Sequence, residues 1–255
     1  SRLTARGNRL ELGVDATPST GIHAHSVATG MVINVEDTSY LLGPKDSAMS
    51  FDLDALTERA TVTVSGSTFD AGQLGRGYAL YGDLAGTQQA DLAHLEPSQP
   101  AWVLHGDLNC YESAGVTIPS GTVLTASEST RVIRGHNSVT IDATGARFNN
   151  IWTHVTDSSR LTVEDSAYMV DQGGGHILIY TNSALPAVAS GCTFTADPTV
   201  AGQAYGVYID TTVGPVTIED CTFDGLGAAI RHRAGFPPAV SNATFTSCSQ
   251  NYLVQ

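Results

Sequence analysis

The chain has 255 residues, 42% hydrophobic and only 15% charged, so it has the composition of a folded protein and not of a disordered one. Its formal net charge of −13 argues against nucleic acid or an anionic membrane surface as partner, because phosphate binding needs clustered Lys and Arg. No run of about eighteen apolar residues is present to span a bilayer.

Glycine occurs 26 times, and Thr, Ser and Val are plentiful, a composition that favours short strands and tight turns. Near the N-terminus, residues 35–40 read VEDTSY and 64–69 read VSGSTF. Both have a β-former, polar turn residues, a small residue, a spacer and an aromatic. Residues 31–42 and 61–81 are therefore expected to form coils of a repeat. Residues 46–60 are expected to hold a short helix or a long loop. The polar stretch 88–99 is expected to leave the repeating body. His23 and His25 share one face of a strand, but without a third ligand beyond a guess at Asp15 they make a weak metal pair.

The repeat becomes regular after residue 143. Residues 143–148 (ATGARF), 163–168 (VEDSAY), 189–194 (ASGCTF), 218–223 (IEDCTF) and 240–245 (VSNATF) end on Phe148, Tyr168, Phe194, Phe223 and Phe245. The gaps between these aromatics are 20, 26, 29 and 22 residues, the length of one coil of a solenoid. The aromatics, together with Tyr40 and Phe69, are expected to point inward and stack. A second phrase, glycine followed by alternating apolar residues, recurs at 175–181 and 206–211. In it Ile177, Ile179, Val207, Ile209, Ile230 and His232 are expected inside, with Leu178, Tyr180, Tyr208, Asp210, Arg231 and Arg233 outside. Cys192 and Cys221 occupy the same place in successive repeats and are expected to be small buried groups, free rather than bridged.

These phrases resemble the parallel β-helix of the pectin-lyase-like superfamily. Residues 115–124 (GVTIPSGTVL) are similar to a phrase that opens many such helices, phage tailspikes included. Residues 135–148 (GHNSVTIDATGARF) are similar to an early coil of polygalacturonase-type relatives. The resemblance implies an all-β fold: one right-handed, single-stranded parallel β-helix of about eight to ten coils, spanning residues 1–255 and less regular over 1–100. It also implies that polysaccharides lie along one face.

On that reading Trp152, His154, Tyr180 and Tyr208 are the expected substrate-binding residues, since aromatic faces pack on sugar rings. Asp210, Arg231 and Arg233 are the expected catalytic group for an acidic glycan, by analogy with lyases in which arginine removes the proton beside a uronate carboxylate. The lyase and polygalacturonase signatures themselves are not intact. Gly175-His176 is followed by isoleucine and Gly135-His136 by asparagine, where a second glycine would be needed. Glu36-Asp37, Glu164-Asp165 and Glu219-Asp220 invite a calcium reading, but their place at the repeat corner favours turn chemistry, so no cofactor or metal is expected.

The expected function is thus recognition of an extracellular polysaccharide, with or without cleavage. The alternative is a non-catalytic structural or adhesive module of a cell-surface protein or a phage tailspike. Residues 251–255 (NYLVQ) read as a strand with nothing after it, which suggests a homotrimer or a longer parent chain covering that end. Ice binding needs flat rows of Thr-x-Thr pairs and is discounted on the scattered pair Thr61-x-Thr63.

Overall fold

A computed structural model describes residues 2–11, 20–24, 29–41, 47–69, 78–95, 101–126, 129–171, 174–181, 185–211 and 214–255. Every strand-to-strand ladder among them is parallel, apart from one isolated antiparallel bridge between Thr57 and Ala90. The chain winds as a solenoid with three strands per coil. One strand of each coil joins a ten-stranded sheet that runs the whole length. The regular body, from Asp83–Leu84 to Gln250–Val254, is about eight turns; its other two walls are an eight-stranded and a seven-stranded sheet. Two three-stranded sheets take those places in the first coils.

The inner columns explain why these residues stack. On the ten-stranded sheet Met49, Tyr78, Trp102, Leu124, Phe148, Tyr168, Phe194, Phe223 and Phe245 are in direct register. The later rings pile nearly flat, with centroids 4.3 Å apart for Phe148–Tyr168, 5.3 Å for Tyr168–Phe194, 4.9 Å for Phe194–Phe223 and 5.4 Å for Phe223–Phe245. Each such contact is worth about 0.5–1.5 kcal/mol beyond the burial of its area. The Tyr168 hydroxyl, sealed in this stack, shares a 3.0 Å hydrogen bond with Thr153. Ile177, Ile179, Val207, Ile209 and Ile230 are buried as expected. His232 follows Ile209 in an inward column but is only half-buried, because Val254 alone lies beyond it.

Tyr40 and Phe69 do not join this stack. They are in register with each other on one of the short sheets. In the first coils the corner phrase joins the first and second strands of a coil; in the later coils it joins the second and third. The phrase encodes a strand, a corner and a strand, and does not say which corner. Within 46–60 the short helix expected is a single 3-10 turn, Leu53–Leu56, and the strand before it, Ser47–Asp52, was not expected. Likewise Gln89–Asp91 is a strand of the body, paired with Gly115–Ile118. His25 and Asp15 lie outside the described residues.

The corner is built by a column of left-handed residues. Gly145, Asp165, Gly191, Asp220 and Asn242 all have φ between 49° and 63°. The amides of Gly145, Asp165, Gly191 and Asp220 donate to a carbonyl of the next coil, as in Asp165 N to Ser190 O at 2.8 Å. A Cβ on Gly191 would fall 2.2 Å from Asp165 Oδ1. The aspartate therefore lies over the following glycine, which is why carboxylates and glycines alternate. Cys192 and Cys221, one residue on, are buried and unbridged. Their thiols reach backbone carbonyls, such as Ser190 O at 3.3 Å and Glu219 O at 3.2 Å.

Candidate functional site

The outward face of the eight-stranded sheet carries one residue per coil in a continuous row: Asp83, Asn109, Arg134, His154, Leu178, Tyr208, Arg231 and Leu253. Inward neighbours such as Cys110, Val155, Ile179 and Ile209 are buried, so alternation puts the row outside. At about 4.8 Å per strand the row is an extended ruler along the solenoid.

Of the expected site residues, His154, Tyr208 and Arg231 fall in this row together with Leu178. Trp152 stands two residues before His154, level with Val132, and is outside it. Tyr180 lies past a register shift after Ile179 and is level with Thr211, so Asp210 is not level with it. Tyr180 is 47% exposed.

The C-terminal half of the row is aromatic and cationic. The Arg231 guanidinium lies 4.5 Å from the Tyr208 ring centroid and 5.3 Å from that of Tyr205. The two rings meet edge to face at 5.7 Å. Tyr205 can lie there because residue 175 is glycine: a Cβ would come within 2.4 Å of its ring. Arg231 also donates to Gln255. Arg233 pairs with Asp210 at 3.7 Å, both partly exposed, and such a pair contributes about 0–1 kcal/mol. All three residues expected to be catalytic thus lie on or beside this face, with both arginines engaged by protein groups.

The N-terminal half of the row is polar and networked. Arg134 Nε donates to His154 Nδ1 at 3.2 Å, and Nη1 donates to Asn109 Oδ1 at 3.1 Å. Asn109 Nδ2 donates to Asp83 at 3.0 Å. Burial, with Arg134 and then His136 nearby, pushes His154 down to about 4, so it is neutral at pH 7. In the neighbouring outward column Tyr111 and His136 are in register, their rings stacked at 5.3 Å and 9°. Sequence reading passed over Asn109, Tyr111 and Arg134, and weighed His136 only as part of a broken glycine-histidine motif. The readable signal was Asn-x-Tyr followed one coil later by Arg-x-His, in strands of equal alternation.

Several other features are structural. His176, the remnant of a glycine-histidine motif, is fully buried between Tyr168 and Phe194. Its nitrogens face Tyr205 O at 2.9 Å and Thr195 O at 3.0 Å. A neutral ring can donate to only one of those carbonyls. Burial outweighs both contacts and holds the ring down to about 4. Asp37, Asp165 and Asp220 are left-handed corner residues, and no group of three metal-ligating side chains is found among the described residues.

The threonine pairs are more numerous than Thr61-x-Thr63: Thr193-x-Thr195 and Thr244-x-Thr246 flank Phe194 and Phe245 on the ten-stranded sheet. Met169 and Asp224, in register with Thr195, break that surface. Two recesses of about 290 Å³ each open on the same sheet and its corner, around Arg147 and Ala167. Among the described residues no helix is long and apolar enough to cross a membrane. No protein-family model, curated protein or solved structure matches this chain.

Proposed function

We propose that this protein binds an extended polysaccharide along the outward face of the eight-stranded sheet, as members of the pectin-lyase-like superfamily do, in an extracellular or cell-surface setting. The observation that carries the reading is the row itself, in which a half-buried tyrosine and guanidinium stand on the same line as a hydrogen-bonded Asn, Arg and His. Tyrosine rings offer flat apolar faces to sugar rings, and the Arg, Asn and His groups supply donors for hydroxyls and carboxylates. One binding element per coil suits a polymer with one sugar per step.

Affinity electrophoresis against a panel of neutral and acidic polysaccharides tests this. Retention by at least one polymer, weakened by Tyr208→Ala and by Arg231→Ala, is the expected result. Unaltered mobility in every gel contradicts it. Reducing-sugar release and the ultraviolet absorbance of unsaturated uronates then separate a hydrolase, a lyase and a binding module.

The engagement of Arg231 by two tyrosines, and of Arg233 by Asp210, favours a second reading for that half of the row: adhesion without turnover, as in a surface or tailspike module. It predicts polymer retention with no new chain ends.

A further inference from the structure

We propose that the outward face of the ten-stranded sheet is a self-association surface, on which a second copy of this chain packs about a twofold axis so that Arg147 of each copy meets Asp224 of the other. The inference concerns a different wall from the glycan reading and does not rest on it.

The face carries almost none of the chain's charge. On the six strands from Val123–Ala126 to Thr244–Thr246, alternation leaves two positions per strand pointing out on either side of the buried inner column. Half of these positions are threonine, and only Arg147 and Asp224 are charged, in a chain whose net charge is −13. Net charge of one sign holds copies of a protein apart, and on this wall that repulsion is missing.

Both charges are unmatched within the chain. Arg147 and Asp224 are exposed, and neither makes an ion pair or a side-chain hydrogen bond among the described residues. Their strands, Arg147–Asn149 and Thr222–Asp224, stand three steps apart in the sheet. That is about 14 Å at the strand spacing, too far for the two side chains to meet in one molecule.

Their placement is self-complementary. Arg147 shares an outward column with Ala167, Thr193 and Thr222, whereas Asp224 shares the other with Met169 and Thr195. The line joining the charges therefore crosses the face diagonally, and its midpoint falls between the strands Ala167–Val170 and Thr193–Ala196. A twofold axis in the contact plane, through that midpoint and square to the line, exchanges the two charges. Both Arg147–Asp224 pairs then form at once, as an isologous interface requires.

The centre of the face suits the same axis. Met169, 46% exposed, lies beside the midpoint. The small side chain of Ala167 leaves next to it a recess of about 290 Å³, bounded by Arg147, Met169 and Thr193. The axis brings the partner's Met169 to the rim of this recess, and an unbranched thioether adapts well to such a gap. The face is about 24 Å long over its six strands, at the small end of specific interfaces, so association is expected at micromolar concentrations.

Sedimentation velocity of the full chain, from low to high micromolar concentration, tests this. A monomer–dimer equilibrium is expected for the wild type. Arg147→Asp and Asp224→Arg each set like charges against one another, and each is expected to weaken the dimer by about tenfold or more. Mixed in equal amounts, the two variants are expected to form a heterodimer, because two acidic positions then face two basic ones. The double variant R147D/D224R is expected to dimerise as the wild type does. Both positions are exposed, so all variants should keep the β-rich circular dichroism of the wild type. A wild-type monomer throughout the range overturns the proposal, as does a trimer, or a dimer that both reversals leave intact. Two reversed variants that stay monomeric when mixed also overturn it. A monomeric wild type whose polysaccharide retention is lost in Arg147→Asp gives the face to the polymer and not to a second copy.

Discussion

The inner column of the ten-stranded sheet and the outer row of the eight-stranded sheet have the same spacing and opposite logic. Inside, Phe148, Tyr168, Phe194, Phe223 and Phe245 repeat one chemistry because every coil must fill the same space. Outside, Asn109, Arg134, His154, Leu178, Tyr208 and Arg231 change at every step because packing does not constrain them. The repetition describes how the solenoid stands; the departures from repetition are where we propose it meets other molecules.

Substitutions that divide the two columns should divide stability from binding. The largest loss of stability is expected from Phe194→Ala, which removes two stacked contacts and opens a cavity in a fully buried stack. A cost of about 3–5 kcal/mol by urea unfolding is expected. Gly191→Ala follows, at about 1–3 kcal/mol, since it combines a positive φ with a clash against Asp165. Adding Asp165→Gly should recover the clash but not the backbone strain, and full recovery would refute the left-handed corner. At the other extreme, Arg231→Ala should cost about 1 kcal/mol or less, since it removes a partly exposed cation–π contact, while weakening polymer retention several-fold.

A further effect is read through pH. His154 and His176 are both held down to about 4, below the ordinary histidine value near 6.5, so the unfolded chain binds more protons than the folded one between those limits. Stability should be complete above about pH 6.5 and fall as the pH drops toward 4. His154→Gln should flatten part of that slope in urea midpoints measured across the range, and an unchanged slope would show that His154 is not the neutral group described.

The sequence made the inner column legible because its period is enforced coil after coil, and the corner phrase announced it. It did not reveal that Tyr40 and Phe69 occupy another sheet, since strand–corner–strand is the same local chemistry at either corner. The outer row was half legible. His154, Leu178, Tyr208 and Arg231 follow from alternation, but the register shift at Tyr180 displaces it from Asp210, and no local residue pattern signals that shift. Asn109, Tyr111 and Arg134 escaped notice because alternation within one strand does not say which residues of neighbouring coils stand level.

Hydroxyl-radical footprinting with and without a retained polysaccharide tests the central claim most directly. Binding along the eight-stranded sheet predicts protection of Tyr111, Tyr180 and Tyr208, with no change at Met169, which is 46% exposed on the ten-stranded sheet. Protection of Met169 with the three tyrosines unchanged would put the ligand on the wrong wall and contradict the account.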